Sequence, residues 1–71
     1  MANKTNKKLR ILRLALVQQR TGLARSTLYK YIDDGIFPRQ ISLGPRTSGW
    51  IEHEVDSWIA ERVDRRDAEQ A

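Results

Sequence analysis

The chain has 71 residues, 39% of them hydrophobic and 31% charged, with no cysteine and a net charge of +4. A domain of this size builds a core near the lower limit for independent folding, which leaves little room for a buried catalytic pocket; the missing cysteines exclude disulfide staples and thiolate metal sites. The longest apolar run, Leu14 to Val17, is far too short to cross a bilayer and no signal peptide precedes it, so a cytoplasmic protein without a membrane partner is expected.

Charge is distributed unevenly. Residues 1–13 hold five lysines and arginines against no acid (+5), residues 14–51 five against Asp33 and Asp34 (+3), and residues 52–71 three against seven acids (−4). The first two blocks favour a polyanion, because neutralised phosphates release counterions. Residues 1–10 are read as a flexible basic arm, for which a merely solvated lysine tail is the alternative. Leu9-Arg10-Ile11-Leu12-Arg13-Leu14 alternates apolar and basic residues, as a brief extended segment packing on the domain does.

A short first helix is expected from Ala15 to Arg20, stopped at Thr21-Gly22 where glycine permits a left-handed turn. A second helix follows over Arg25 to Asp34, with Leu28, Tyr31 and Ile32 on one face and Ser26, Lys30 and Asp33 opposite. Thr27 and Tyr29 flank the outer face. Gly35 ends this helix, Phe37 packs beneath it, and Pro38 forces an extended continuation. Gln40-Ile41-Ser42-Leu43 and Gly49-Trp50-Ile51 then alternate as strands about the turn-rich Gly44-Pro45-Arg46-Thr47-Ser48, giving a hairpin with a basic tip whose apolar face, including Trp50, leans on the helices. The last helix runs from about His53 to Arg65, with Val55, Trp58 and Ile59 on its core stripe. Glu52, Glu54 and Asp56 at its start and Arg62, Arg65 and Arg66 near its end match the helix dipole. Residues 66–71 are expected to be a disordered tail. The fold class is mainly α with a small β-hairpin, a winged helix-turn-helix over residues 11–65.

Two helices around a glycine turn, the second with a basic and hydroxyl-rich outer face, are how a helix-turn-helix enters the major groove. Arg25 and Lys30 are assigned to phosphate or guanine, Ser26 and Thr27 to hydroxyl contacts near the helix start, and Tyr29 to a phosphate through its phenol. Arg46, Thr47 and Ser48 at the wing tip reach the adjacent minor groove or backbone, and Arg39 sits where it can hold a phosphate. A solvated helix face is the alternative. Trp50 and Trp58 are read as core by their spacing against Val55 and Ile59, not as base-stacking platforms. His53 has no cysteine or second histidine to complete a metal site, and the carboxylates near it have no nucleophile or cleft, so neither metal, cofactor nor enzymatic activity is expected.

In order and spacing, Arg13-Leu14, Arg20-Thr21-Gly22-Leu23, Arg25-Ser26-Thr27-Leu28-Tyr29, Gly35-Ile36-Phe37-Pro38-Arg39, Leu43-Gly44, Gly49-Trp50, Glu54-Val55 and Trp58-Ile59 resemble the AlpA family of small phage and prophage regulators, which are similar to minimal winged helix-turn-helix domains related to MerR and excisionase folds. The resemblance spans about Ile11 to Val63. It implies sequence-specific binding to double-stranded DNA and transcriptional control of integrase or excision genes, or else an excisionase role beside an integrase. It also implies three departures: Ala15 where the family often has proline, Leu16 where it has an acidic or polar residue, and Ala24 where it has serine. A more distant alternative is a protein-binding adaptor or antirepressor using Leu16 and the acidic last helix. One reading helix covers a short site, so a second copy on tandem or inverted sites is an expected partner. Nucleoid association follows from the DNA reading.

Overall fold

The structure, a computed structural model, describes residues 9–70; residues 1–8 of the expected basic arm and residue 71 lie outside it. Its elements are β1 (Ile11–Leu12), α1 (Leu14–Thr21), α2 (Arg25–Asp33), β2 (Ile41–Gly44), β3 (Thr47–Ile51) and α3 (Glu52–Gln70). Three helices and a small antiparallel sheet make a winged helix-turn-helix of the expected class.

The extended segment before α1 does more than pack on the domain. It forms a third strand, giving the order β1-β3-β2, with Ile11 opposite Ile51 and Leu12 opposite Trp50. The Glu52 amide donates to the Arg10 carbonyl at 2.8 Å and continues that ladder into the start of α3.

Gly22 ends α1 with φ 74°, and its N–H donates to the Gln18 carbonyl at 2.7 Å. That left-handed C-cap costs a residue with a Cβ roughly 1–2 kcal/mol. Thr21 laces the turn: its hydroxyl donates to the Val17 carbonyl at 2.9 Å and accepts the Leu23 N–H at 3.2 Å. The end of α2 is a Schellman pair, Ile36 N–H to the Tyr31 carbonyl at 2.8 Å and Gly35 N–H to the Ile32 carbonyl at 3.1 Å. It turns the chain so that Phe37 is buried beneath the helix.

The core consists of Leu12, Val17, Leu28, Phe37, Trp50 and Val55, one residue from each element except β2, plus Phe37 from the loop. Leu14, Leu23, Tyr29, Tyr31, Ile32, Trp58 and Ile59 pack around them, half-buried. Both indoles are tied to the loop after α2: Trp50 Nε1 donates to the Pro38 carbonyl at 3.1 Å, and Trp58 Nε1 to the Ile36 carbonyl at 2.8 Å. Phe37 meets the Trp58 ring edge-on with centroids 5.0 Å apart. The two tryptophans are packing residues, Trp50 fully and Trp58 in part.

α3 corrects the expected end at Arg65 and the expected tail from residue 66: it continues to Gln70. Residues 60–70 are all exposed, so packing does not hold this extension. The stretch contains neither glycine nor proline and is rich in alanine, glutamate, glutamine and arginine, which propagate a helix once nucleated.

Ala24 occupies the N-cap of α2 with extended dihedrals (φ −70°, ψ 157°) and no side-chain cap bond. Serine in that conformation accepts an N–H of the first turn, a gain of about 1 kcal/mol. Ala24→Ser is therefore expected to raise the melting temperature by about 4–8 °C with little change in any DNA affinity. Thermal circular dichroism checks it, and an unchanged or lowered midpoint contradicts the placement of the helix start.

Candidate nucleic-acid interface

The helix period of α2 points Leu28 into the core and leaves Arg25, Ser26, Lys30 and Asp33 exposed. The predicted outer face is thus on the surface, one turn after the glycine turn. Arg25 lies over the Tyr29 ring, with its guanidinium carbon 5.7 Å from the centroid. Lys30 Nζ is 3.3 Å from Asp34 Oδ2, an exposed pair one turn apart on the helix.

Tyr29 and Thr27 are half-buried. The Tyr29 ring stands edge-on against Trp50 with centroids 6.2 Å apart, so this residue belongs partly to the packing and only in part to the outer face. Tyr29, Ile32, Asp33, Arg39, Gln40, Ser42 and Ser48 line a groove of about 480 Å³ between α2 and the wing. Of the predicted residues it brings together Tyr29, Arg39 and Ser48. Gln40 and Ser42 complete it and were not expected. Their polar alternation with Ile41 and Leu43 was visible, but alternation does not say which side faces the helix.

The wing turn is tighter than predicted. Only Pro45 and Arg46 form it, and Thr47 and Ser48 already belong to β3. Proline presets φ at the first turn position, Arg46 takes φ 55° at the second, and the Thr47 hydroxyl donates to the Pro45 carbonyl at 3.0 Å. Ser48 therefore lines the groove wall instead of the tip, opposite Ser42 in the register.

Arg46 is the one non-glycine residue with positive φ among those described. A left-handed residue with a Cβ costs roughly 1–2 kcal/mol, partly offset in glycine by its larger unfolded entropy. Arg46→Gly is expected to stabilise the domain by up to about 1 kcal/mol, read by urea melts, while weakening binding to a DNA duplex. A stabilised variant with parental DNA affinity contradicts a role for the tip.

Arg20 is a cation withdrawn from the surface field. Nη2 lies 2.6 Å from Glu52 Oε2 and Nη1 lies 2.7 Å from Asp56 Oδ1. The hydrogen bond to Glu52, then that to Asp56, holds the guanidinium pKa above its ordinary value. The two acids sit one turn apart on α3 and clamp the end of α1. Their role thus goes beyond the dipole partnership expected from sequence. Among the described residues Arg25, Arg39 and Arg46 make no ion pair, so their charge faces outward uncompensated.

Among the described residues no group of three His, Cys, Asp or Glu side chains is placed to hold a metal ion, and no helix is long and apolar enough to cross a membrane.

Residues 10–63 match the family model described as "Prophage CP4-57 regulatory protein (AlpA)". The chain is 44% identical over 59 residues to the DNA-binding transcriptional activator AlpA of Escherichia coli (strain K12), covering 75% of this chain and 84% of that protein. It is 44% identical over 54 residues to the uncharacterized protein ORF88 of Enterobacteria phage P4, covering 76% of this chain and 61% of the phage protein.

Proposed function

The chain belongs to the AlpA family of prophage regulatory proteins, and from that premise we propose that it is a sequence-specific DNA-binding transcription regulator of a phage or integrated mobile element, controlling integrase or excision genes. The observation that supports this best is the outward face of α2, where Arg25, Ser26 and Lys30 are exposed beside a wing whose tip carries the strained Arg46. In this reading α2 enters the major groove, with Arg25, Ser26, Thr27 and Lys30 toward base edges and phosphates, while Arg46 and Thr47 follow the neighbouring backbone or minor groove. Tyr29, Arg39 and Ser48 hold a phosphate over the groove between helix and wing. The basic arm, residues 1–10, adds non-specific attraction, and the protein works at the nucleoid.

The test is binding of the full chain to duplexes selected from a random pool. A specific affinity falling linearly in log–log form with salt is expected, with a slope near −0.9 for each phosphate neutralised. Failure to enrich any sequence, or binding indifferent to salt, overturns the assignment.

A further inference from the structure

The distal part of the wing has its polarity reversed. The expected hairpin leans its apolar alternation on the helices, yet β2 contributes nothing to the core. Register gives the reason. Trp50 points inward, so Ser48 and its partner Ser42 share that side. Ile41 lies opposite Gly49, and Ile11 opposite Ile51, on the other side of the sheet. Ile41 is 38% and Leu43 45% exposed. Gly49 keeps this outer face flat: a Cβ there would collide with the Ile11 side chain and come within 3.3 Å of Leu43 Cδ1. Four aliphatic side chains, Ile11, Ile41, Leu43 and Ile51, thus surround a glycine on the side of the sheet away from the helices.

We propose that this outer sheet face is where a second copy of the chain docks, patch against identical patch about a two-fold axis, when two copies occupy neighbouring inverted DNA sites; this rests on the DNA-binding function proposed above. The occupant follows from chemistry and size. An aliphatic face needs an aliphatic partner. Residues 1–8 carry three lysines and a single large apolar side chain, Met1, against a face of four aliphatic side chains, so this segment does not match it. The register shift between Ser42 and Gly44 leaves Leu43 as an extra residue and interrupts the β2 ladder, which disfavours edge-to-edge pairing and leaves the face. Four partly exposed side chains offer roughly a few hundred Å² per copy, below the about 800 Å² per partner of a stable interface. Such a contact fails in free solution and acts when DNA holds two copies at high effective concentration. A self-complementary patch is satisfied by a two-fold axis, hence by inverted sites and not by direct repeats.

The experiment compares the parent chain with Ile41→Thr/Leu43→Thr on duplexes carrying one selected site, two inverted sites or two direct repeats, with sedimentation of the free protein. Expected for the parent are a monomer at micromolar concentration and a cooperativity factor of about 5–150 on inverted sites, the usual range of coupling between sites, with none on direct repeats. The double variant should bind a single site as the parent does and lose the cooperativity. Should it melt lower than the parent, Leu43→Gln, a change at an exposed position, replaces it. Parental binding without cooperativity, cooperativity equal on direct repeats, or cooperativity surviving in the variant each overturns the proposal. So does a loss of single-site affinity, which would make the face a DNA contact. Absence of any specific duplex binding by the parent instead overturns the DNA reading on which the proposal rests.

Discussion

Trp50→Ala is expected to remove about 3–5 kcal/mol of stability. A 71-residue chain has roughly 4–11 kcal/mol in total at the usual 0.05–0.15 kcal/mol per residue, so the variant should lose from about a quarter of its stability to all of it and melt at least about 12 °C below the parent. Trp50 is 1% exposed and is the largest fully buried side chain. It joins β1 through its pairing with Leu12, the loop after α2 through the Pro38 carbonyl, and α2 through the edge contact with Tyr29. Its loss leaves a cavity, an unpaired carbonyl and an unsupported α2 together. Trp50→Phe separates these effects: most of the apolar volume remains while the Pro38 carbonyl loses its donor, a cost of about 1–3 kcal/mol. Urea denaturation followed by far-ultraviolet circular dichroism measures both. A Trp50→Ala variant melting within a few degrees of the parent contradicts the core described above.

Arg25→Ala and Lys30→Ala should leave the fold intact and weaken specific DNA binding. Both side chains are on the exposed face of α2, so neither truncation opens the core. Arg25 is held over the Tyr29 ring, which restricts the guanidinium before any ligand arrives and reduces the ordering cost of a contact. A bidentate base contact from such a side chain is worth about 1–3 kcal/mol, and its loss relaxes sequence preference at one position. Lys30 must first leave Asp34, but an exposed i,i+4 pair is worth only about 0.3–0.5 kcal/mol, so a phosphate displaces it readily. Lysine at a phosphate predicts a weakening across all sequences with a salt slope lower by about 1. Arg65→Ala, the same charge change on the exposed extension of α3, is the control and should bind as the parent does. If the α2 variants match that control, the reading helix is misassigned.

Much of the architecture is legible locally. The spacing of Leu28, Tyr31 and Ile32 gives the inward face of α2, because a helix repeats on a scale of a few residues. Gly22 and Gly35 mark helix ends, since the need for positive φ is a property of one residue. Pro38 and Pro45 place an extension and a turn for the same reason. The outer face with Arg25, Ser26 and Lys30 follows by elimination once the inner face is assigned. The end of α3 is less legible, because no breaker follows Arg65 and charge order alone does not stop a helix.

What only the tertiary structure decided concerns pairs far apart in sequence. Alternation in Gln40-Ile41-Ser42-Leu43 has period two and is symmetric between faces; the pairing of β2 with β3 selected the serines for the groove and left Ile41 and Leu43 outside. Ile11-Leu12 became a strand because β3 offered a free edge. Arg20 is indistinguishable in sequence from Arg25, yet folding put it between Glu52 and Asp56, 32 and 36 residues later, and took its charge out of the surface field. Helix ends and inward faces depend on backbone dihedrals and short periods, which the amino-acid sequence carries by itself; strand faces and ion-pair partners depend on register and docking, which exist only when the chain has folded.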